Sequence, residues 1–150
     1  MAIDMELLKK LREETGAGVM DVRRAIEETN GDVEKALIWI REKAIKTAEK
    51  KADREAKEGY VGSYVHTTGK VAAMVSLTCE TDFVARTEDF KTLAREVAMQ
   101  VASMSPESVA ELLEQPYIRD AKKSINDLVK ETAGKVGENI VVREISRLAI

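Results

Sequence analysis

Apolar positions in the first third of the chain recur at helical spacing. Ile3, Leu7, Leu8 and Leu11 share one face, and Thr15-Gly16 stops that helix with a residue that accepts a left-handed backbone. After Gly16-Ala17-Gly18, a short helix carries Val22, Ala25 and Ile26 as far as Asn30-Gly31. Asp32 caps a third helix, with Val33, Ala36, Leu37 and Ile40 facing inward. Three such helices can bury one small shared core, which predicts a three-helix head domain over residues 1–40. From Arg41 to Glu58 neither glycine nor proline appears, and alanines recur at Ala44, Ala48, Ala52 and Ala56. The run predicts a long charged helix, an arm over residues 41–58 about 25 Å long, that holds the head away from the rest of the chain. Its alanine stripe lets it lie close on another surface.

From Gly59 the period changes to two. Tyr60 to Thr67 and Lys70 to Cys79 flank Thr68-Gly69 as an antiparallel hairpin, with Val71, Ala73, Val75, Leu77 and Cys79 on one face. Phe90, Leu93, Ala94, Val97, Ala98 and Val101 then mark the buried stripe of a strong helix. Ser105-Pro106 reads as the cap and first residue of a short helix through Leu113, which Gln115-Pro116 breaks. A further helix carries Ala121, Ile125, Leu128, Val129 and Thr132 to Gly134, and Gly137 to Ile145 reads as a third strand. The fold class is α+β. Its core, over residues 59–150, is a small antiparallel three-stranded sheet packed with helices.

Composition narrows the function. A net charge of −3 and a pI of 5.4 argue against a direct nucleic-acid partner, which would call for a basic face. No apolar run approaches the roughly 18 residues that cross a bilayer, so no membrane partner is expected. The opening Met1-Ala2-Ile3-Asp4-Met5-Glu6 lacks the basic-then-apolar pattern of a signal peptide. A lone cysteine, Cys79, places the chain in a reducing compartment, by default the cytoplasm, and reads as a small buried hydrophobe.

Most enzyme chemistries lack their residues. With one histidine and one cysteine the chain cannot assemble a His/Cys zinc site, and His66 reads as an ordinary strand histidine. Gly69-Lys70 is not a phosphate loop, because Tyr64 and Val71 stand where glycine and a hydroxyl residue are needed. The expectation is a protein that is not an enzyme and needs no cofactor.

Two stretches are more specific than this. One is Leu11-Arg12-Glu13-Glu14-Thr15-Gly16-Ala17-Gly18-Val19-Met20-Asp21; the other is Cys79-Glu80-Thr81-Asp82-Phe83-Val84-Ala85-Arg86. With Gly137-Glu138-Asn139-Ile140 and Arg143 they resemble, in the same order and over essentially the whole chain, the translation elongation factor Ts family. That resemblance implies a guanine-nucleotide exchange factor whose partner is elongation factor Tu. Longer members carry a second core repeat and a helical hairpin beyond the first. A chain ending at Ile150 looks like the short kind that pairs two copies as a homodimer.

The resemblance also assigns partner-binding residues. Arg12, Gly16, Ala17, Gly18, Val19 and Met20 would dock the head on the GTPase, and Thr81, Asp82, Phe83 and Val84 would form a wedge turn. Asp82 would act on the partner's Mg²⁺ surroundings, this chain holding no metal itself. From the residues alone Phe83 reads as a core anchor, Asp82 as a plain turn residue, and Val19 and Met20 equally as head-core packing. The head has a second likeness. Asn30 to Ile40 is similar to the third helix of ubiquitin-associated domains, which gives the alternative of an interaction module without exchange activity. The loop Gly16 to Met20 lacks the aromatic those domains usually carry there.

Overall fold

A computed structural model of the chain describes residues 2–150. Its elements run α1 (Met5–Thr15), α2 (Val19–Glu28), α3 (Val33–Lys50), β1 (Glu58–Val65), β2 (Val71–Cys79), α4 (Asp82–Ala85) and α5 (Glu88–Met104). After these come α6 (Val109–Glu114), β3 (Pro116–Tyr117), β4 (Asp120–Ser124), α7 (Ile125–Val136) and β5 (Val141–Ala149). The helix starts of the head are fixed by local chemistry. The Asp4 carboxylate accepts from the Glu6 and Leu7 amides and Asp32 from Lys35, while α1 ends on Gly16 at φ +68°. Leu8, Leu11, Val22, Ala25, Ile26, Ala36 and Ile40 are buried together as one cluster.

The charged arm differs from the sequence expectation in two ways. Helix α3 ends at Lys50, not at residue 58. The carbonyls of Ala52 and Arg54 accept instead from Asn139 Nδ2, at 3.2 and 2.7 Å, and that of Ala56 from Arg143 Nη2 at 3.2 Å. Side chains some 85 residues away thus satisfy groups that a longer helix would have paired internally. Nor does α3 hold the head at a distance. Its second half lies along α7, Ala48 belongs to the larger core, and Gly134 faces the Ala44 backbone so closely that any Cβ would strike it. Ala44 and Ala48 pack as closely as their spacing allows, Ala52 and Ala56 lie beyond the end of the helix, and the spacer reading fails.

The sheet has the order β1-β2-β5, antiparallel throughout, with a bulge between Ser76 and Leu77. Its inner face, with Val75, Leu77 and Cys79, packs on Phe90, Val97, Ala98 and Val101 of α5. At Gly62 the strand lies so near Ala94 that a side chain would collide with it. No helix among the described residues covers the outer face, and Val61, Val65, Met74 and Leu148 there are each more than half exposed.

Three boundaries are corrected. Ser105 closes α5 at φ +49°, and Ser108 is the cap that opens α6. Ala121 lies on β4, because a capping box between Ser124 and Asp127 starts α7 only at Ile125. The last strand begins at Val141, since Gly137 at φ +78° ends α7 first. Buried Gln100 pins the added β3–β4 hairpin, donating to Gln115 Oε1 and the Pro116 carbonyl and accepting from the Ile118 amide. No helix among the described residues is long and apolar enough to cross a membrane.

Candidate functional site

Strand β2 delivers the chain to Glu80 and Thr81, and the Thr81 hydroxyl accepts from the Val84 amide at 3.3 Å to start α4. Val84 and Ala85 plunge into the core at 5% and 7% exposure. With that side of the single turn anchored, Phe83 faces solvent at 77% exposure and Asp82 stands beside it. The core-anchor reading of Phe83 is thereby overturned, and Val84 is not a surface residue. The chain's other phenylalanine, Phe90, is fully buried and supplies the core anchor instead.

A four-residue helix has no stability of its own, so its pose is set by what grips its ends. Glu138, in the loop before β5, accepts from the Glu80 amide at 3.0 Å, the Thr81 amide at 2.9 Å and the Thr81 hydroxyl at 2.7 Å. The buried Cys79 thiol donates to the Thr81 carbonyl at 3.2 Å. Burial, aided by the nearby Glu138 charge, pushes this thiol up to about 11, so it remains a protonated donor at neutral pH. Asp82 pairs with Arg86 at 3.1 Å, a solvent-exposed contact worth little. Glu138 stands in the Gly137-Glu138-Asn139-Ile140 motif, but no local signal in the sequence ties it to a turn 57 residues earlier.

In the head, Gly16 donates its amide to the Arg12 carbonyl at 2.8 Å, and the Thr15 hydroxyl donates to Leu11 while accepting from Ala17. Gly18 opens α2, and the next two side chains turn outward, Val19 at 43% and Met20 at 69% exposure. Packing inside the head is therefore not their role. Arg12, Gly16 and Gly18 are exposed, while Ala17 packs partly against the head core.

One side chain bridges the two patches. Lys135 on α7 covers Gly16, and its Nζ reaches Asp89 at 3.0 Å, on the first turn of α5 just after the wedge helix. Behind this bridge a cleft of about 500 Å³ separates head from core, lined by Gly18, Arg41, Thr47, Glu131 and Lys135 among others. Arg41 meets Glu131 across it at 3.4 Å. No group of three or more His, Cys, Asp or Glu suited to a metal occurs among the described residues.

The family model described as Elongation factor TS matches residues 80–150. The elongation factor Ts of Coprothermobacter proteolyticus is 41% identical, with 98% of each chain covered. That of Nitratidesulfovibrio vulgaris is 38% identical over 100% of this chain and 98% of its own length. That of a Nostoc strain is 46% identical over 99% of this chain, which spans 47% of that longer relative. The Nitratidesulfovibrio match runs over 195 positions against 150 residues here. Since that match covers nearly all of both chains, about 45 of its positions have no counterpart residue in this chain. Identity near two-fifths along the whole of such relatives, on a fold that exposes the Gly16 to Met20 loop and the Phe83 turn, shows that the chain belongs to the elongation factor Ts family of translation elongation factors.

Proposed function

We propose that the chain is a guanine-nucleotide exchange factor for elongation factor Tu, acting in the cytoplasm and making or breaking no covalent bond. One observation carries this reading: Phe83 is 77% exposed at the tip of a turn gripped from behind by Glu138 and Cys79. A rigid apolar ring presented this way loses little entropy on insertion and favours whichever partner state opens a pocket for it. If that state is the nucleotide-free one, linkage requires the chain and GDP to weaken each other's binding by the same factor. Asp82 enters with Phe83 and places a carboxylate near the partner's Mg²⁺, where it disturbs the ion's hydration. The head, residues 1–40, docks through Arg12 and the Gly16 to Met20 loop. The α+β core of residues 59–150 carries the wedge, and the second half of α3 joins the two. Substoichiometric chain should then accelerate GDP release from elongation factor Tu without moving the final equilibrium. No acceleration at micromolar concentration defeats the reading.

The same proposal includes a homodimer. The outer sheet face presents Val61, Val65, Met74 and Leu148 with small Ser63, Ser76 and Ser146 between strands, a surface suited to face-to-face packing about a two-fold axis. Light scattering should give twice the chain mass at high micromolar concentration, and Met74→Glu should halve it. A monomeric wild-type chain contradicts the dimer and leaves exchange untouched.

A further inference from the structure

The grip on the wedge turn is reciprocal. While the Glu138 carboxylate takes the Glu80 and Thr81 amides, the Glu80 carboxylate accepts from the Asn139 amide at 2.9 Å. Two adjacent carboxylates repel, but here each is spent on backbone N–H groups, and Arg54 stands 3.8 Å from Glu80. Asn139 is itself buried, and its side-chain amide holds the Ala52 and Arg54 carbonyls on the segment leaving α3. A single loop therefore binds the approach to the wedge on one side and the exit from the head helix on the other. An ionised carboxylate suits this place because it only accepts, and all three groups aimed at it donate.

We propose that Glu138 is a positioning residue for nucleotide exchange: it sets the pose of the Phe83 turn and, through neighbouring Asn139, holds it in fixed relation to the head. This rests on the exchange reading of Phe83. Glu138 need never touch the partner; its effect passes through the two backbone amides that precede α4. Losing it leaves the Thr81 cap but frees the turn to swing, so insertion must then order what is now preordered.

The test compares Glu138→Ala, Glu138→Gln, Phe83→Ala and the Glu138→Ala/Phe83→Ala double variant in full-length chain. Three readouts serve: thermal melting, amide hydrogen exchange, and GDP release from elongation factor Tu across a range of chain concentrations. In Glu138→Ala the Glu80 and Thr81 amides should exchange about tenfold faster or more, the scale of a lost bond to a charged acceptor, while α5 amides keep their protection. The maximal GDP-release rate should fall by a similar factor, about tenfold. The half-maximal concentration, which the head also sets, should move much less. Glu138→Gln should recover most of the rate, since its amide oxygen still accepts from the backbone and the Thr81 hydroxyl can turn to accept. The double variant should be no slower than Phe83→Ala alone, because both changes act on one insertion. Additive losses, a wild-type rate in folded Glu138→Ala, or a rate that falls only with the folded fraction overturns the proposal. Should the wild-type chain fail to accelerate GDP release from elongation factor Tu, the exchange reading fails on its own. The amide-exchange arm still decides whether Glu138 holds the turn, and unchanged protection in Glu138→Ala refutes that.

Discussion

Phe83→Ala is expected to slow GDP release by about one to two powers of ten while the chain melts within about 2 °C of wild type. The rate effect comes from burying one phenyl ring at the interface, about 1.5–3 kcal/mol of apolar transfer. The small melting effect comes from 77% exposure: nothing in the chain's own core loses a neighbour when the ring goes. Exposed substitutions stay within about 0.5 kcal/mol, and about 2–4 °C corresponds to each kcal/mol in a chain of this size. Phe90, fully buried, shows the scale of the alternative, since emptying a packed phenylalanine site costs about 3–5 kcal/mol. A thermal melt and a release assay on the same preparation decide between them. A large fall in melting temperature, with release lost only in proportion to folded protein, would return Phe83 to the core and move the search for a wedge to exposed Met20.

Gly134→Val should destabilise the chain by about 1–3 kcal/mol, although helix propensity alone argues for a gain of several tenths. The steric effect wins because the neighbour is backbone. A Cβ on Gly134 would sit 2.8 Å from the Ala44 carbonyl carbon, and a helix axis cannot yield as the end of a lysine can. Helices α3 and α7 must part, weakening the Arg41–Glu131 pair and the cleft-side contact of the head. Release at low chain concentration should therefore suffer more than the maximal rate, the reverse of Phe83→Ala, because the wedge is untouched. An unchanged or raised melting temperature would show that the seam between the two helices is loose enough to admit a side chain.

Much of the fold was legible in the chain, and what was not has identifiable causes. The head helices announced themselves because their end signals are local: Asp32 and Gly16 each act within four residues, and Asp4, which the sequence reading passed over, acts at the same range. The hairpin and the α5 stripe rest on periodicity, which the long core elements obey. The end of α3 was not readable, because Lys51 to Lys57 is a good helix-forming run whose carbonyls are claimed by Asn139 and Arg143 from the far end of the chain. Strands β3 and β4 are too short to show a period, and they are held by Gln100, a polar residue inside an apolar stripe. At the wedge, composition favoured a buried phenylalanine. Only the family resemblance pointed outward, and the exposure of Phe83 agrees with it. The grip of Glu138 depends on a contact 57 residues apart that no local rule anticipates.

The central claim is that the chain prefers its partner without nucleotide, and affinity measured in both states tests it most directly. Titrating the chain into nucleotide-free and GDP-loaded elongation factor Tu should give binding at least about a hundredfold tighter to the empty form, within the range of known coupling energies. The chain should weaken GDP binding by that same factor, as linkage demands. Equal affinity for the two forms would contradict the account, however tightly the chain bound either one.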